Sequence, residues 1–391
     1  MTTDPIRGRW AVSALFAVNG FFMGSWAPQI PLLLPRHDIT ESMLGLLIMV
    51  VGVGAIAAML FAGRLIAAYG ARRVTTVFAL LMTPTLPAIV YAPSVAALVP
   101  ILAFTGAVVG CMDVAMNANA VAVEQKLDRA IMSSCHGFWS LGGFAGGILG
   151  GQIIAAVGAE RHALFFTVLS LAVVLVAMRS LAEDPRSAAQ APKSQPKSVL
   201  FPRDAALWVL GLLALFSMVP EGAVLDWAAL YLATDLGSDV STSGYAFGFF
   251  AGTMALVRFA GDRVRNRFGA VRTLRVSALV AAAGMMSAAL APTDWIAIAC
   301  FAVSGLGVAN MVPILFSAAG NHPGLSAGAG IAAVSMAGYT GILFAPSSIG
   351  FVAEHIGYRW TYGVLALILV VVATMADRAS AADGRAEAVA A

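Results

Sequence analysis

Residues 182–203 read AEDPRSAAQAPKSQPKSVLFPR, a run rich in Ala, Pro, Lys, Ser and Gln between long apolar stretches. That composition suits a solvated linker rather than a packed element. Outward from it the chain turns apolar: of 391 residues, 60% are hydrophobic and 11% charged, where soluble domains carry about 25% charged residues. So few charges cannot cover a soluble globule of this length, which makes lipid the solvent for most of the chain. A spanning helix takes about 20 apolar residues, and six such segments lie on each side of the linker. Their expected limits are 10–35, 43–69, 74–92, 95–123, 131–158, 163–181, 205–234, 242–261, 273–291, 294–319, 326–353 and 360–376. They are apolar on all faces and lack the period-two alternation of a barrel strand, so they are read as helices. The expected fold is therefore an all-α membrane protein, with twelve transmembrane helices in two pseudo-symmetric six-helix bundles. Its divisions are 1–181, a cytoplasmic linker at 182–204, 205–378, and a cytoplasmic tail at 379–391. The first segment follows Arg7 and Arg9 as a signal peptide would, but its length and the spans after it make it a retained helix.

With both termini in the cytoplasm, every Lys and Arg falls on the inner side except Arg36, Arg161 and Arg359. This is the positive-inside pattern of a multi-pass protein of a bacterial inner membrane. The net charge of +3 reflects that bias and does not call for a nucleic-acid partner. Cys111, Cys135 and Cys300 sit in apolar segments without C-x-x-C spacing and read as small buried residues, so neither a disulfide nor a metal is expected. No phosphate-binding Gly-x-x-x-x-Gly-Lys loop and no nucleophile–base spacing is present. The sequence therefore implies neither a cofactor, nor ATP-driven pumping, nor an enzyme.

The two sides of the linker resemble each other. At an offset of about 200 residues, Trp26 falls on Trp227, Gly70 on Gly269, Asp113 on Asn310 and Gly158 on Gly357, the mark of a duplicated unit such as two-half secondary transporters use. After the second span stands Gly63-Arg64-Leu-Ile-Ala-Ala-Tyr-Gly70-Ala-Arg72-Arg73, and after the eighth Arg258-Phe-Ala-Gly261-Asp262-Arg263, followed by Arg265, Arg267 and Gly269. These strings resemble the signature of the major facilitator superfamily, a glycine, an Asp-Arg pair, a second glycine and basic residues. Ala67 stands where the first Asp would be. The resemblance implies cytoplasmic gating loops formed by Gly63, Arg64, Gly70, Arg72, Arg73, Arg258, Gly261, Asp262 and Arg263. Alternatively, the arginines alone could reflect an ordinary positive-inside loop.

Ionisable groups deep in a span cost several kcal/mol and are functional candidates. Asp113, Glu221 and Asp226 are the carboxylates that qualify. Asp113 and Asn117 are four residues apart and share a helix face, which makes a polar stripe for a solute or an interhelical patch. Glu221 and Asp226 lie about 140° apart on a straight helix, with Pro220 and Gly222 offering a place to bend. His136 titrates near neutral pH when unperturbed, and Trp26, Trp139 and Trp227 lie too deep for the interfacial aromatic belt. The glycines at 142–143, 146–147 and 150–151 form a small face suited to close packing.

The string from Gly110 to Asn117, Gly-Cys-Met-Asp-Val-Ala-Met-Asn, resembles helix four of the fucose–proton symporter branch. His136-Gly-Phe-Trp139-Ser-Leu-Gly-Gly143, with Glu221-Gly-Ala and Asp226-Trp227, is similar to a related branch that includes rhizopine (inosamine) permeases. The resemblance implies proton coupling and sugar binding at Asp113. In helix one the large polar or aromatic candidates are Asn19, Trp26 and Gln29. The expected function is secondary active, proton-coupled transport of a small polar organic solute, resembling a sugar, cyclitol or amino sugar, by a monomer in the bilayer. A proton-exchange exporter of drugs or metabolites and a non-translocating sensor remain open. The expected solute site is lined by Asn19, Trp26, Gln29, Asn117, His136, Trp139, Trp227 and Asn310, with protons carried through Asp113, Glu221 and Asp226.

Overall fold

The computed structural model describes residues 4–127, 131–182, 204–322 and 327–382; residues 183–203 of the linker and 383–391 of the tail lie outside them. Helical rods occupy the positions of all twelve expected segments. They are α1 (Pro5–His37), α2 (Glu41–Tyr69), α3 (Ala71–Val90), α4 (Val95–Leu127), α5 (Met132–Val157) and α6 (Ala159–Ala177). After the linker come α7 (Ala205–Asp235), α8 (Val240–Ser243 and Tyr245–Phe268), α9 (Ala270–Ala289), α10 (Asp294–Val308 and Met311–Gly320), α11 (Ala327–Ile356) and α12 (Tyr358–Thr374). By length and hydropathy alone, nine helices among the described residues can cross a membrane, or ten if Tyr358–Thr374 and the bent Ala376–Ala382 form one span. α9 and α11 are helices of 20 and 30 residues outside that set. α9 carries Arg272 and Arg275 in its first two turns.

The duplication is visible in the backbone. Gly70 (φ 83°, ψ 149°) and Gly269 (φ 77°, ψ 161°) occupy the same state, as do Gly158 (φ 91°, ψ 161°) and Gly357 (φ 86°, ψ 160°). A Cβ is strained there, so glycine alone turns the chain this sharply. In each case the next residue begins a new helix. The caps repeat as well. Asp4 accepts from the Ile6 N–H and Asp204 from the Ala206 N–H, while Thr40 accepts from Met43 and Asp239 from Thr242. Bonds from the Ser241 hydroxyl first, and from Thr242, hold the Asp239 carboxyl below the usual carboxylate range.

Most positions named for the gating loops are helical. Gly63 and Arg64 lie in α2, and Arg258, Gly261, Asp262 and Arg263 lie in α8; Arg72 and Arg73 open α3. Of the named positions, Gly70 is the turn. Hydropathy falls where charges begin, but helical hydrogen bonds continue until a residue stops them, and here that residue is the positive-φ glycine. Two of the three basic residues assigned to the opposite face cover helix ends: Arg36 donates to the Val90 carbonyl at 2.8 Å and Arg359 to that of Ala289 at 3.5 Å. Cations suit the negative pole of a helix C-terminus.

Packing follows the same repeat. In the first six helices α1 lies against α5 and α2 and α3 against α4; in the last six α7 lies against α11 and α8 and α9 against α10. The two groups meet where α5 packs on α8 and α2 on α11. The α5 glycines form two faces rather than one. A Cβ at Gly142 or Gly146 would strike α1 at Phe21, whereas one at Gly147 or Gly151 would strike the α8 backbone at Gly248 or Ser241. Two bare faces let α5 approach a helix of each group at once, since without a side chain backbones can come into contact.

Candidate functional site

Arg258 is the deep cation of the molecule's midsection. At 1.5 Å per residue it lies about 20 Å along α8 from Tyr245, and Glu221 about 21 Å along α7 from Asp235, so the two share a level. The Arg258 Nη2 stands 3.5 Å from Glu221 Oε1, with side-chain exposures of 18% and 23%. Its Nη1 donates to Ser140 Oγ on α5 at 2.7 Å. His136, one turn before Ser140, lies within electrostatic reach of Arg258 and packs edge-on against Phe16, centroids 5.1 Å apart. One guanidinium thus neutralises a carboxylate on α7 and holds a hydroxyl on α5, from the other six-helix group.

Asp113 and Asn117 pair on α4 as their spacing requires: Asn117 Nδ2 donates to the Asp113 carbonyl at 2.9 Å and to its Oδ1 at 3.3 Å. Both side chains are partly exposed. Asp226 is buried and interacts with the Trp26 indole, joining α7 to α1. α7 runs unbroken through Pro220, so Glu221 and Asp226 serve different partners, as their angular separation on a straight helix demands.

Other expected site residues turn inward. Asn19 is 2% exposed, accepts from Trp139 Nε1 at 2.8 Å, and directs its amide N–H groups at the sulfurs of Met82 and Met112. Gln29 bonds to His162 Nδ1 at 2.9 Å and to the Ala159 carbonyl, away from the central cluster. Trp227 is fully buried against Tyr358, with no hydrogen bond at Nε1. Asn310, at the break in α10, lies against the Gly261 backbone of α8. The structure therefore joins Glu221 with Arg258 and His136, Asp113 with Asn117, Asn19 with Trp139, and Trp26 with Asp226, and sets Gln29, Trp227 and Asn310 apart. Ser140 was missed, as was the depth of Arg258. The signal lay in the ten residues between Arg258 and Gly269, which contain neither Gly nor Pro apart from Gly261 and so allow nearly three more helical turns. Among the described residues no three His, Cys, Asp or Glu side chains are grouped as a metal site.

The family model of the Major Facilitator Superfamily matches residues 12–329 and 227–382. The chain is 33% identical over 361 residues to an uncharacterized MFS-type transporter of Yersinia pestis, covering 92% of this chain and 93% of that one. It is 32% identical over 353 residues to the membrane protein MosC of Rhizobium meliloti, covering 89% and 84%. In fold it is similar to the nucleoside transporter NupG, with a TM-score of 0.72 at 14% identity over 95% of this chain and 98% of that one. A bacterial homolog of the human lysosomal transporter Spinster, in an inward-facing and occupied conformation, gives 0.67 at 14% identity over 95% and 96%. The chain belongs to the Major Facilitator Superfamily: it is a multi-pass membrane transporter, not an enzyme.

Proposed function

We propose that this protein is a monomeric, proton-coupled secondary transporter of a small polar organic solute of the sugar, cyclitol or amino-sugar type. It works by alternating access between the halves 1–181 and 205–378, with both termini on the cytoplasmic side of a bacterial inner membrane. The observation that carries this reading is the Ser140–Arg258–Glu221 arrangement, which sets a compensated charge pair at mid-depth where the halves meet. A polar, charge-balanced centre suits an uncharged, hydroxyl-rich solute better than a lipophilic cation.

Proton coupling falls to Asp113. Glu221 has its counter-charge in Arg258, whereas Asp113 has the neutral amide of Asn117. A carboxylate at that depth without a cation is stabilised by taking up a proton. Asp113→Asn in proteoliposomes should abolish accumulation driven by a pH gradient and leave exchange at equal pH measurable. The solute to label is chosen by thermal-shift screening against sugars, cyclitols, amino sugars and hydrophobic cations. Stabilisation by hydrophobic cations alone would turn the reading to an exporter, and binding without any flux to a sensor. Undiminished gradient-driven accumulation by Asp113→Asn would remove Asp113 from the proton path.

A further inference from the structure

The first turn of α2 is capped from the other six-helix group. Thr40 accepts the Met43 N–H locally, but the Ser42 N–H donates to Glu354 Oε2 of α11 at 2.8 Å. The helices touch here, with Gly45 against Pro346 and Ser347, and Gly350 against the Glu41 carbonyl and Trp227. At the duplicated contact, where α8 begins and α5 ends, the cap is internal: Asp239 accepts from Thr242. The bonds crossing there are neutral, from Gln152 Nε2 to Tyr245 Oη at 2.6 Å and to the Ser241 carbonyl at 3.3 Å. The two seams on this face thus differ in the bond that crosses them, made to a carboxylate at one and between neutral groups at the other.

We propose that Glu354 is a latch that holds this face closed by capping α2 across the seam, and that protonation of its carboxyl releases it. The proposal rests on the alternating-access reading. Exposed backbone N–H groups and the positive pole at a helix N-terminus favour an anion. Glu354 is solvent-exposed, so it responds to the pH of the compartment on this side, which the positive-inside assignment makes the exterior. The charged and titratable groups that face it are His355 of α11 and Tyr358 of α12, and Tyr358 is also within reach of Glu41 of α2 and Asp235 of α7. Bonds from Ser42, joined by the weaker effect of Thr40, hold the Glu354 carboxyl below its ordinary value. The latch is therefore at full strength above the ordinary carboxylate range and is lost as pH falls through the lowered value. Opening would also bring water to Trp227 Nε1 and Tyr358 Oη, which carry no hydrogen bond in the closed seam. Breaking the seam therefore returns hydrogen bonds to some groups while taking one from another.

The test uses spin labels on the exposed turns after α3 and α9, Tyr91→Cys and Leu290→Cys, with Cys111, Cys135 and Cys300 replaced by Ala. Distances are measured by pulsed EPR in proteoliposomes. Glu354→Gln should raise the long-distance population about two- to fivefold at neutral pH, since a neutral acceptor binds an N–H less tightly than a carboxylate. The unsubstituted residue should reach the same population on acidification, and Glu354→Gln should change little further. Gly147→Ala, which wedges the other seam, serves as the reference. Widening by Gly147→Ala with none by Glu354→Gln would overturn the latch and leave the moving halves intact. No widening in either variant would overturn both. A membrane-impermeant reductant acting on the labels reports separately which compartment this face meets.

Discussion

Replacing Arg258 by Met keeps most of the side chain's volume and removes the charge that two helices share. What it strands can be read from the geometry. Glu221 loses its cation at 23% exposure, and removing one partner of a buried pair costs about 3–5 kcal/mol. The 3.5 Å separation is longer than the best charge-assisted bonds, about 2.7–2.9 Å, which places this pair at or below the lower end of that range. Ser140 is fully buried and loses a 2.7 Å bond, and an unpaired buried hydroxyl costs about 1–3 kcal/mol. Because the two losses overlap in one cluster, their combined effect is taken as about 3 kcal/mol of destabilisation. The assay is a double-mutant cycle with Glu221→Gln, unfolding each of the four proteins in nanodiscs by heat. The double variant should recover most of the loss, with a coupling of about 2 kcal/mol, because no carboxylate is then left without its cation. Additivity within about 0.5 kcal/mol would show that Glu221 and Arg258 do not stabilise each other, and the charge-balanced centre would have no energetic basis.

The α5 glycines separate conformation from stability. A Cβ at Gly147 would lie 2.8 Å from the Gly248 Cα on α8, so Gly147→Ala should shift the EPR distance distribution while leaving thermal stability nearly unchanged. Gly146→Ala, which presses on α1, should lower stability and leave the distances alone; the reverse result would refute the two-face reading. Gly70→Ala and Gly269→Ala place a Cβ in the same unfavourable backbone state, and each should cost about 1–3 kcal/mol. Costs that differ severalfold between them would contradict the structural equivalence of the two turns.

How far the sequence was legible depends on which force set each feature. The Gly70/Gly269 and Gly158/Gly357 pairs were readable because a sharp turn at positive φ admits almost no other residue. Asp113 and Asn117 were readable because helical spacing alone brings them together. Burial was not. A residue facing lipid and one facing another helix are both apolar, so Trp227 in the core could not be distinguished from a Trp lining a polar path. The contrast between α1, whose apolar window is 72% buried in the bundle, and α2, at 28%, goes with mean hydropathies of 1.2 and 2.6, but an average over a helix does not say which of its residues face inward. Helix ends escaped for a different reason: hydropathy reports where lipid ends, while the backbone hydrogen bonds of α8 continue to Phe268. Asp262 and Arg263, beyond the expected limit at 261, therefore lie inside the helix, and Arg258, named with them for a gating loop, lies far from its end.

The skeleton is duplicated, but the charges are not, and their placement bears on how the two groups could separate. Each ion pair between described residues, Arg36–Glu160, Glu221–Arg258, Arg275–Asp377 and His322–Asp204, joins residues of the same six-helix group. The bonds described above as crossing between the groups each have a neutral donor or acceptor on at least one side: Ser140 with Arg258, Trp26 with Asp226, the Ser42 N–H with Glu354, and Gln152 with Tyr245. The difference is energetic. Parting a buried ion pair leaves two uncompensated charges and costs about 3–5 kcal/mol, whereas parting a hydrogen bond to a charged group costs about 1.5–3 kcal/mol, offset by whatever water enters. When α5 draws away from α8, Arg258 loses a hydroxyl and keeps Glu221, so its compensation travels with it. An ion pair across the α5–α8 seam would instead bias the molecule strongly toward one arrangement. Ser140→Asp, which creates such a pair with Arg258, should therefore hold α5 and α8 together and slow solute exchange at least tenfold with little loss of thermal stability. Exchange at the unsubstituted rate in a folded Ser140→Asp protein would show that this seam does not move during transport.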